Sequence, residues 1–376
     1  MKRKRILIVA CNNLAKGGIQ AVIMNIVRNL HNKFQFDILC FDSKQSFYDE
    51  EFESYGGCIY RLPLYEGTNI FRKRADFYIR FSKVYHGVKK IVKGNKYDVI
   101  HCHNDIESGI CLLAAKKQKI PVRIVHAHTS FDNFARYNIV RKMYSIYLKK
   151  LMFHNATDLV GCSKEANSIL FAGQKSKVIY NTIDFSTFDK NKYGIKKKTD
   201  SPILLQVGLF SDNKNQIFSI DILKRIKEKY PNSKLVFVGR AVQGESEIYL
   251  DKIKEYISSE KLEQSIQFFS GDTDIPRVVA ETDFFILPSK KEGLPLVLIE
   301  AQAMGKRCFV SDSVSNEIDC GGCIFLNLEK GASAWAEAII KNYDHNNEMQ
   351  LDFDMSKFNT ETIMNQFEKI YSGDEI

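Results

Sequence analysis

Two carboxylates, Glu292 and Glu300, flank a turn and a helix start in the run Pro288-Ser-Lys-Lys-Glu292-Gly-Leu-Pro295 and the apolar stretch that follows it. Proline at the first helical position presets φ, and the amides around Gly293 and Leu294 stay unpaired at the helix start. Such a start is an anion site. The amides can hold phosphates while Glu292 and Glu300 accept hydroxyl hydrogen bonds from a sugar and a ribose. On spacing alone, helix capping by Glu292 and an ordinary helical Glu300 account for the pattern equally well.

A second loop, Gly208-Leu-Phe-Ser-Asp-Asn-Lys214-Asn215, joins a close-approach glycine to a lysine that opens a helix. A lysine there opposes the helix dipole, which suggests a phosphate partner, although a solvated lysine explains it too. Gly239-Arg240 repeats the geometry one strand later, and Arg240 can meet phosphate bidentately. Near the amino terminus, Cys11 to Gln20 carries Gly17-Gly18 ahead of a helix. The spacing departs from G-x-G-x-x-G and disfavours a dinucleotide-binding enzyme, leaving a loop near phosphate or acceptor. Two His-x-His pairs, His101/His103 and His126/His128, end strands. Alternate strand residues share a face, so zinc enters the reading. Structural histidines and polar contacts to substrate compete with it, and no carboxylate pattern accompanies the pairs.

These loops need strands and helices to place them. Short apolar runs alternate with longer amphipathic ones in both halves, the rhythm of parallel sheets covered by helices, so the fold class is α/β, twice. Strands are predicted near 5–10, 35–41, 97–101, 122–126 and 157–161, then near 202–208, 234–239, 265–269, 283–287 and 307–311. Helices are predicted near 18–30, 73–93, 106–117, 137–152 and 163–171, then near 214–229, 246–258, 276–281, 295–304 and 332–342, with a last one over 357–372. In open parallel sheets ligands sit beyond the carboxyl ends of the strands, where all of these motifs fall. The polar stretch Asp184 to Asp200, with Lys196-Lys-Lys198 and Pro202, reads as a linker. The expected domains are 1–190, 191–355 and a carboxy-terminal helix over 356–376 that packs back toward the first.

The length, 376 residues, suits two cores, and 44% apolar with 26% charged residues is ordinary globular composition. No run of about 18 apolar residues occurs and Met1-Lys-Arg-Lys-Arg5 leads straight into an apolar strand, so membrane spanning and secretion are not expected. Nine scattered cysteines fit a reducing cytoplasm, and Cys320-Gly-Gly-Cys323, with no second pair, reads as a turn before a strand. Residues 1–195 hold 32 basic and 16 acidic side chains, whereas 196–376 hold 22 and 29. The basic half suits an anionic partner or a solvated surface. Nucleic acid is disfavoured, because no helix-turn-helix, zinc or RNA-recognition pattern is present. Phe71 to Lys96 and Arg136 to Lys150 interleave basic with aromatic and aliphatic residues, as helices resting on anionic lipid do.

Taken in order, Gly17-Gly18, Val122 to His128, Gly161-Cys-Ser163, Asn181-Thr-Ile-Asp184, Gly208 with Lys214-Asn215, and Glu292 to Gln302 resemble the retaining GT-B-fold glycosyltransferases of family four. The likeness is to the branch that builds bacterial capsules and exopolysaccharides. The string Glu292 to Glu300 is similar to that family's Glu-x7-Glu signature. The resemblance implies two Rossmann-like domains facing across a cleft and transfer of a hexosyl group, with retention, from a nucleoside diphosphate sugar such as a UDP-sugar to an acceptor hydroxyl. It implies that Glu300 binds ribose, Glu292 the sugar hydroxyls, Gly293 and Leu294 phosphate through amides, and Lys214 the leaving diphosphate. His128 would sit beside sugar and acceptor, and Gly18 in the loop over phosphate. No metal or other cofactor is implied. The family has arginine where this chain has Leu209, and Arg240 is the expected substitute; Thr182 replaces a glycine. The expected acceptor is a saccharide on a polyprenyl diphosphate, met at the inner face of a membrane by a cytoplasmic protein with peripheral association. Epimerases share the fold, and a noncatalytic nucleotide-sugar-binding partner would share the motifs.

Overall fold

The computed structural model describes residues 3–10, 12–64, 70–128, 139–193, 199–242, 244–270, 273–345 and 351–374, with side chains from residue 80 onward in the helix that begins at Ile70. Cys11, Arg136 and Lys196 to Lys198 lie outside the described residues, as do the side chains of Phe71 to Arg74. The chain forms two units, Met1–Thr182 with Thr360–Ile376, and Ile183–Asn359.

The first unit is a seven-stranded parallel sheet in the order β3-β2-β1-β4-β5-β6-β7. Its strands are β1 (Arg5–Val9), β2 (Gln35–Cys40), β3 (Ile59–Arg61), β4 (Val99–Cys102), β5 (Val122–Ala127), β6 (Asp158–Gly161) and β7 (Lys177–Val178). Ile6, Leu7, Ile8 and Val9 are all fully buried, because a strand covered on both faces must be apolar on both. The covering helices are α1 (Gly18–Leu30), α2 (Asp49–Ser54), α3 (Ile70–Gly94), α4 (Ser108–Lys117), α5 (Ile139–Asn155) and α6 (Lys164–Phe171). Helices α4 and α5 pack closely enough that a side chain on Gly109 would lie 2.6 Å from the Leu148 carbonyl oxygen.

The second unit is a six-stranded parallel sheet in the order β10-β9-β8-β11-β12-β13. It comprises β8 (Ile203–Val207), β9 (Lys234–Gly239), β10 (Ile266–Ser270), β11 (Phe284–Leu287), β12 (Arg307–Ser311) and β13 (Cys323–Leu326). Around it lie α7 (Gln216–Lys229), α8 (Glu245–Ser259), α9 (Ile275–Glu281), α10 (Leu296–Ala303) and α11 (Gly331–His345). Leu204, Ile220, Leu223, Phe237, Phe309 and Trp335 form its core.

The last helix, α12 (Thr360–Ser372), belongs to the first unit. Lys33 pairs with Glu368 at 2.5 Å, Lys4 Nζ donates to the Ser372 carbonyl, and the buried Tyr371 ring meets Phe34 edge-on at 5.4 Å. The chain leaves the first unit at Thr182 and returns at Thr360, and these two hydroxyls are hydrogen-bonded to each other at 2.9 Å. Asn25 of α1 donates to the Thr182 carbonyl at 2.7 Å. The chain thus enters the second unit at Ile183, before the polar stretch read as a linker, so 183–190 belong with the second sheet.

Candidate functional site

In each sheet the strand order reverses at one place, between β1 and β4 and between β8 and β11. Loops leaving adjacent strands at such a switch diverge to opposite faces and open a crevice at their carboxyl ends. The sequence motifs lie at these two places.

In the second unit, Gly208 follows β8 at φ +154°, a conformation that favours glycine. Its carbonyl comes so near Gly239 that a side chain there would stand 2.1 Å from the oxygen. The loop then runs to Asn215, left-handed at φ +55°, which precedes α7. Lys214 therefore stands in the turn before α7 rather than opening it, because Asn215 is the capping residue. Gln206, buried in β8, anchors the turn by donating to the Lys214 carbonyl at 2.7 Å while accepting from Ser219 at 2.7 Å.

The loop after β11 is sewn to this one. Asn213 Nδ2 donates to the Lys291 carbonyl at 2.8 Å, Lys290 N to the Asn213 carbonyl at 2.8 Å, and Asn215 Nδ2 to the Pro288 carbonyl at 3.2 Å. Lys290 reaches the Asp212 carboxylate at 2.7 Å. These contacts bring Lys214 Nζ to 2.6 Å from Glu292 Oε1, in an ion pair whose side chains keep only 19% and 12% of their surface exposed. Asn213, Asn215 and Gln206 are the members of this site that sequence reasoning missed; the Lys214-Asn215 run was noticed only for its lysine.

Helix α10 begins at Leu296, one position later than expected, with Pro295 as its extended capping residue. Gly293 and Leu294 form the turn before it, Leu294 buried. The helix closes through Gly305 at φ +72°, whose N–H donates to Gln302 while that of Lys306 donates to Ala301, the usual glycine stop. Glu300 is half-buried on this helix, and burial alone pushes its carboxyl up to about 7. Among the described residues no cation stands near enough to counter that. Ser289 Oγ, also buried, has no partner among the described residues. Arg240 follows β9, and its carbonyl accepts from Phe210 N at 3.2 Å, which sets its backbone beside the Gly208 loop. Leu209 is 38% exposed.

In the first unit, Gly17 caps α1 in an extended conformation and Gly18 is the first helical residue, after β1. At the neighbouring strand ends, His101, His103, His126 and His128 form one stacked array, with adjacent ring centroids 4.2 to 5.3 Å apart. His103 Nδ1 lies 2.7 Å from His128 Nε2, and His101 Nδ1 lies 2.8 Å from the Tyr371 hydroxyl. Burial pushes His128 down to about 3 and holds the other three well below the ordinary histidine range. All four are neutral near pH 7. The ring nitrogens of His101, His103 and His126 lie within 4.8 Å of one another, the spacing of a metal ligand set. No carboxylate joins them among the described residues, so a divalent ion would bring an uncompensated charge into a fully buried place.

Cys320 and Cys323 form the expected turn into β13, and burial pushes the Cys320 thiol up to about 11, away from thiolate chemistry. Along α5, Ile139, Val140, Met143, Ile146 and Tyr147 make an apolar stripe, each 49% to 75% exposed, flanked by the exposed Lys142 and Lys150. Leu148 and Met152 on the opposite face are buried. No helix among the described residues is long and apolar enough to cross a membrane.

Two family models divide the chain: Glycosyltransferase Family 4 matches residues 16–187 and Glycosyl transferases group 1 matches 187–346. Putative glycosyltransferase EpsF of Bacillus subtilis is 29% identical over 90% of this chain and 88% of its own length. The capsular polysaccharide biosynthesis glycosyltransferase CapH of Staphylococcus aureus is 27% identical over 96% of each chain. The Escherichia coli UDP-Gal:alpha-D-GlcNAc-diphosphoundecaprenol alpha-1,3-galactosyltransferase is 30% identical over 63% of this chain and 65% of its own. Among solved structures, Anabaena HepE in complex with UDP and glucose superposes with a TM-score of 0.78 at 16% identity, over 98% of this chain and 100% of that one.

Proposed function

The chain belongs to glycosyltransferase family 4, with the two-domain GT-B fold, and we propose from that premise that it transfers a hexosyl group with retained configuration, without a bound metal. The donor is a nucleoside diphosphate sugar held by the second unit. The observation that carries this reading is the Lys214–Glu292 pair, set at the sheet's switch point and next to the start of α10. Lys214 meets the leaving diphosphate and Glu292 the sugar hydroxyls. The amides of Gly293 and Leu294 add fixed partial positive charge, which does the work a divalent ion does elsewhere. Glu300 accepts from the ribose hydroxyls, and Arg240 supplies the second positive group that Leu209 lacks.

In the first unit Gly18 lies near phosphate and His128 contacts the sugar. A neutral His128 hydrogen-bonds but is a weak base near pH 7. The proton of the attacking hydroxyl therefore goes to the departing diphosphate, on the face of the sugar that it leaves.

The acceptor is a saccharide on a polyprenyl diphosphate in cell-surface polysaccharide synthesis. The E. coli relative acts on a diphosphoundecaprenol-linked sugar and CapH serves capsule synthesis, which supports this class. The α5 stripe supports a membrane-bound acceptor, since an apolar helix face edged with lysines seats on anionic lipid. Thermal stabilisation across UDP- and GDP-sugars identifies the donor, and transfer to a lipid-linked saccharide separates this reading from an epimerase or a silent binding partner. Lys214→Ala is expected to lower transfer by roughly 10²–10³. A protein stabilised by no nucleotide sugar, or unaffected by that change, contradicts the assignment.

A further inference from the structure

We propose that His103 is a positioning residue for the reaction: it fixes His128 in one orientation and one tautomer through the bond between His103 Nδ1 and His128 Nε2, 2.7 Å long. The inference rests on the reading that His128 touches the transferred sugar. Three features of the first unit carry it.

The backbone of His103 is fixed first, by its N–H donating to the Val9 carbonyl at 3.0 Å, so the β1–β4 ladder continues one residue beyond the strand. His103 is 1% exposed and stacks between His101 at 4.2 Å and His128 at 5.0 Å, which leaves its ring no room to turn. His126 closes a triangle with this pair, 4.2 Å from His128 and 5.2 Å from His103. His128 is thus held by two neighbouring rings and one hydrogen bond at its tip.

The bond also selects a tautomer. Both rings are neutral, so one nitrogen of the pair donates and the other accepts. His103 Nε2 is buried and without a partner among the described residues. A buried N–H left unpaired is rarer than a buried acceptor left unpaired. The proton of His103 is therefore on Nδ1, where it donates to His128 Nε2. His128 must then carry its own proton on Nδ1, the atom that has no protein partner among the described residues. It presents an N–H to a ligand oxygen, a fixed donor for a hydroxyl or ring oxygen of the sugar. Metal sites use the same logic when a carboxylate or carbonyl sets the tautomer of a ligating histidine. Here a second imidazole does it.

The test uses the full chain labelled with 15N at histidine. The parent protein is expected to show His128 as a single Nδ1–H tautomer, and His103→Asn, whose amide nitrogen stands near the lost Nδ1, is expected to keep it. His103→Leu is expected to give a tautomer mixture. A parent spectrum with His128 protonated on Nε2, or a His103→Leu spectrum like that of the parent, overturns the proposal. Should His103→Leu fail to fold, His103→Gln replaces it, since its longer amide reaches the position of Nε2 and not of Nδ1. Turnover is read as nucleoside diphosphate released from UDP-galactose, UDP-glucose or GDP-mannose, whichever the parent consumes. His103→Leu is expected to lower kcat about 10- to 100-fold with little change in donor KM, and to lower it no further in a His128→Ala background. Losses that multiply in the double variant overturn the positioning role alone. A His128→Ala enzyme as fast as the parent, or a parent that consumes none of the three, overturns the functional reading instead.

Discussion

Replacing Glu300 by glutamine makes the second unit more stable in alkaline solution and no more stable in acid. The folded carboxyl titrates near 7, against an ordinary 4.5, because burial disfavours its charge. Between those values the native chain holds a proton that the unfolded chain has released. Stability therefore falls as pH rises through this window, and the full cost stands above pH 7. At about 1.4 kcal/mol per pH unit the cost comes to about 3.5 kcal/mol, and the part of the side chain still in solvent reduces it to about 1–3 kcal/mol. Glutamine has the same shape and no charge. For a unit of this size 1 kcal/mol moves Tm by roughly 2–4 °C, so Glu300→Gln is expected to raise Tm by about 2–12 °C at pH 8. At pH 4.5 the two proteins should melt together. Circular dichroism melts at the two pH values measure the difference, and donor titrations on the same samples measure what the carboxylate is for. Nucleotide-sugar affinity should rise with pH through 7 in the parent and stay flat in the variant, because ribose hydroxyls favour the ionised form. A variant that is less stable at pH 8, or equally shifted at both values, refutes the claim that an uncompensated buried charge sits at Glu300.

Three further outcomes test the remaining parts. Arg240→Ala is expected to slow donor turnover roughly 10- to 100-fold, since it removes one preorganised positive group; full activity in steady-state assays would show that Leu209 has no substitute there. Gly239→Ala should destabilise the second unit by about 2–4 kcal/mol in urea titrations, because the new methyl meets the Gly208 carbonyl oxygen at 2.1 Å and neither strand end can retreat. Met143→Glu with Ile146→Glu, both on exposed positions of α5, should abolish sedimentation with phosphatidylglycerol vesicles at low salt and leave Tm within about 1 °C. If the parent protein stays in the supernatant, the lipid surface is excluded as its partner.

The central strands were legible because burial on both faces writes itself as an unbroken apolar run, as in Ile6 to Val9 and Phe284 to Leu287. The short strands β3 and β7 and the helix α2 escaped for the opposite reason. Ile59 to Arg61 and Lys177-Val178 are only partly buried and owe their form to a neighbouring strand that the local sequence does not name. The same limit governed the site. Glu292 and Lys214 were each recognisable, but their ion pair depends on side-chain amides of Asn213 and Asn215 reaching across to the 288–291 loop. His103 was visible as half of a His-x-His pair, while its bond to the other pair depends on the adjacency of β4 and β5. Pro295 was placed inside α10 on its preference for the first turn, and the tight turn through Gly293 and Leu294 delays the helix by one residue.

The return of the chain at Thr360 has a consequence for how the protein is made. The first sheet is finished by a helix that the ribosome delivers only after the whole of Ile183–Asn359. At roughly 5–20 residues per second, the emerging first unit waits about ten to forty seconds for α12. During that interval Phe34, Phe36 and the His101–His126 stack lack the rings of Phe367 and Tyr371 that cover them. The second unit has no such dependence and can form as soon as its own strands are out. The nascent chain thus completes the second unit first, and nonsense or frameshift lesions in the codons of α12 should act on the first unit, as defects of solubility and turnover rather than of donor recognition.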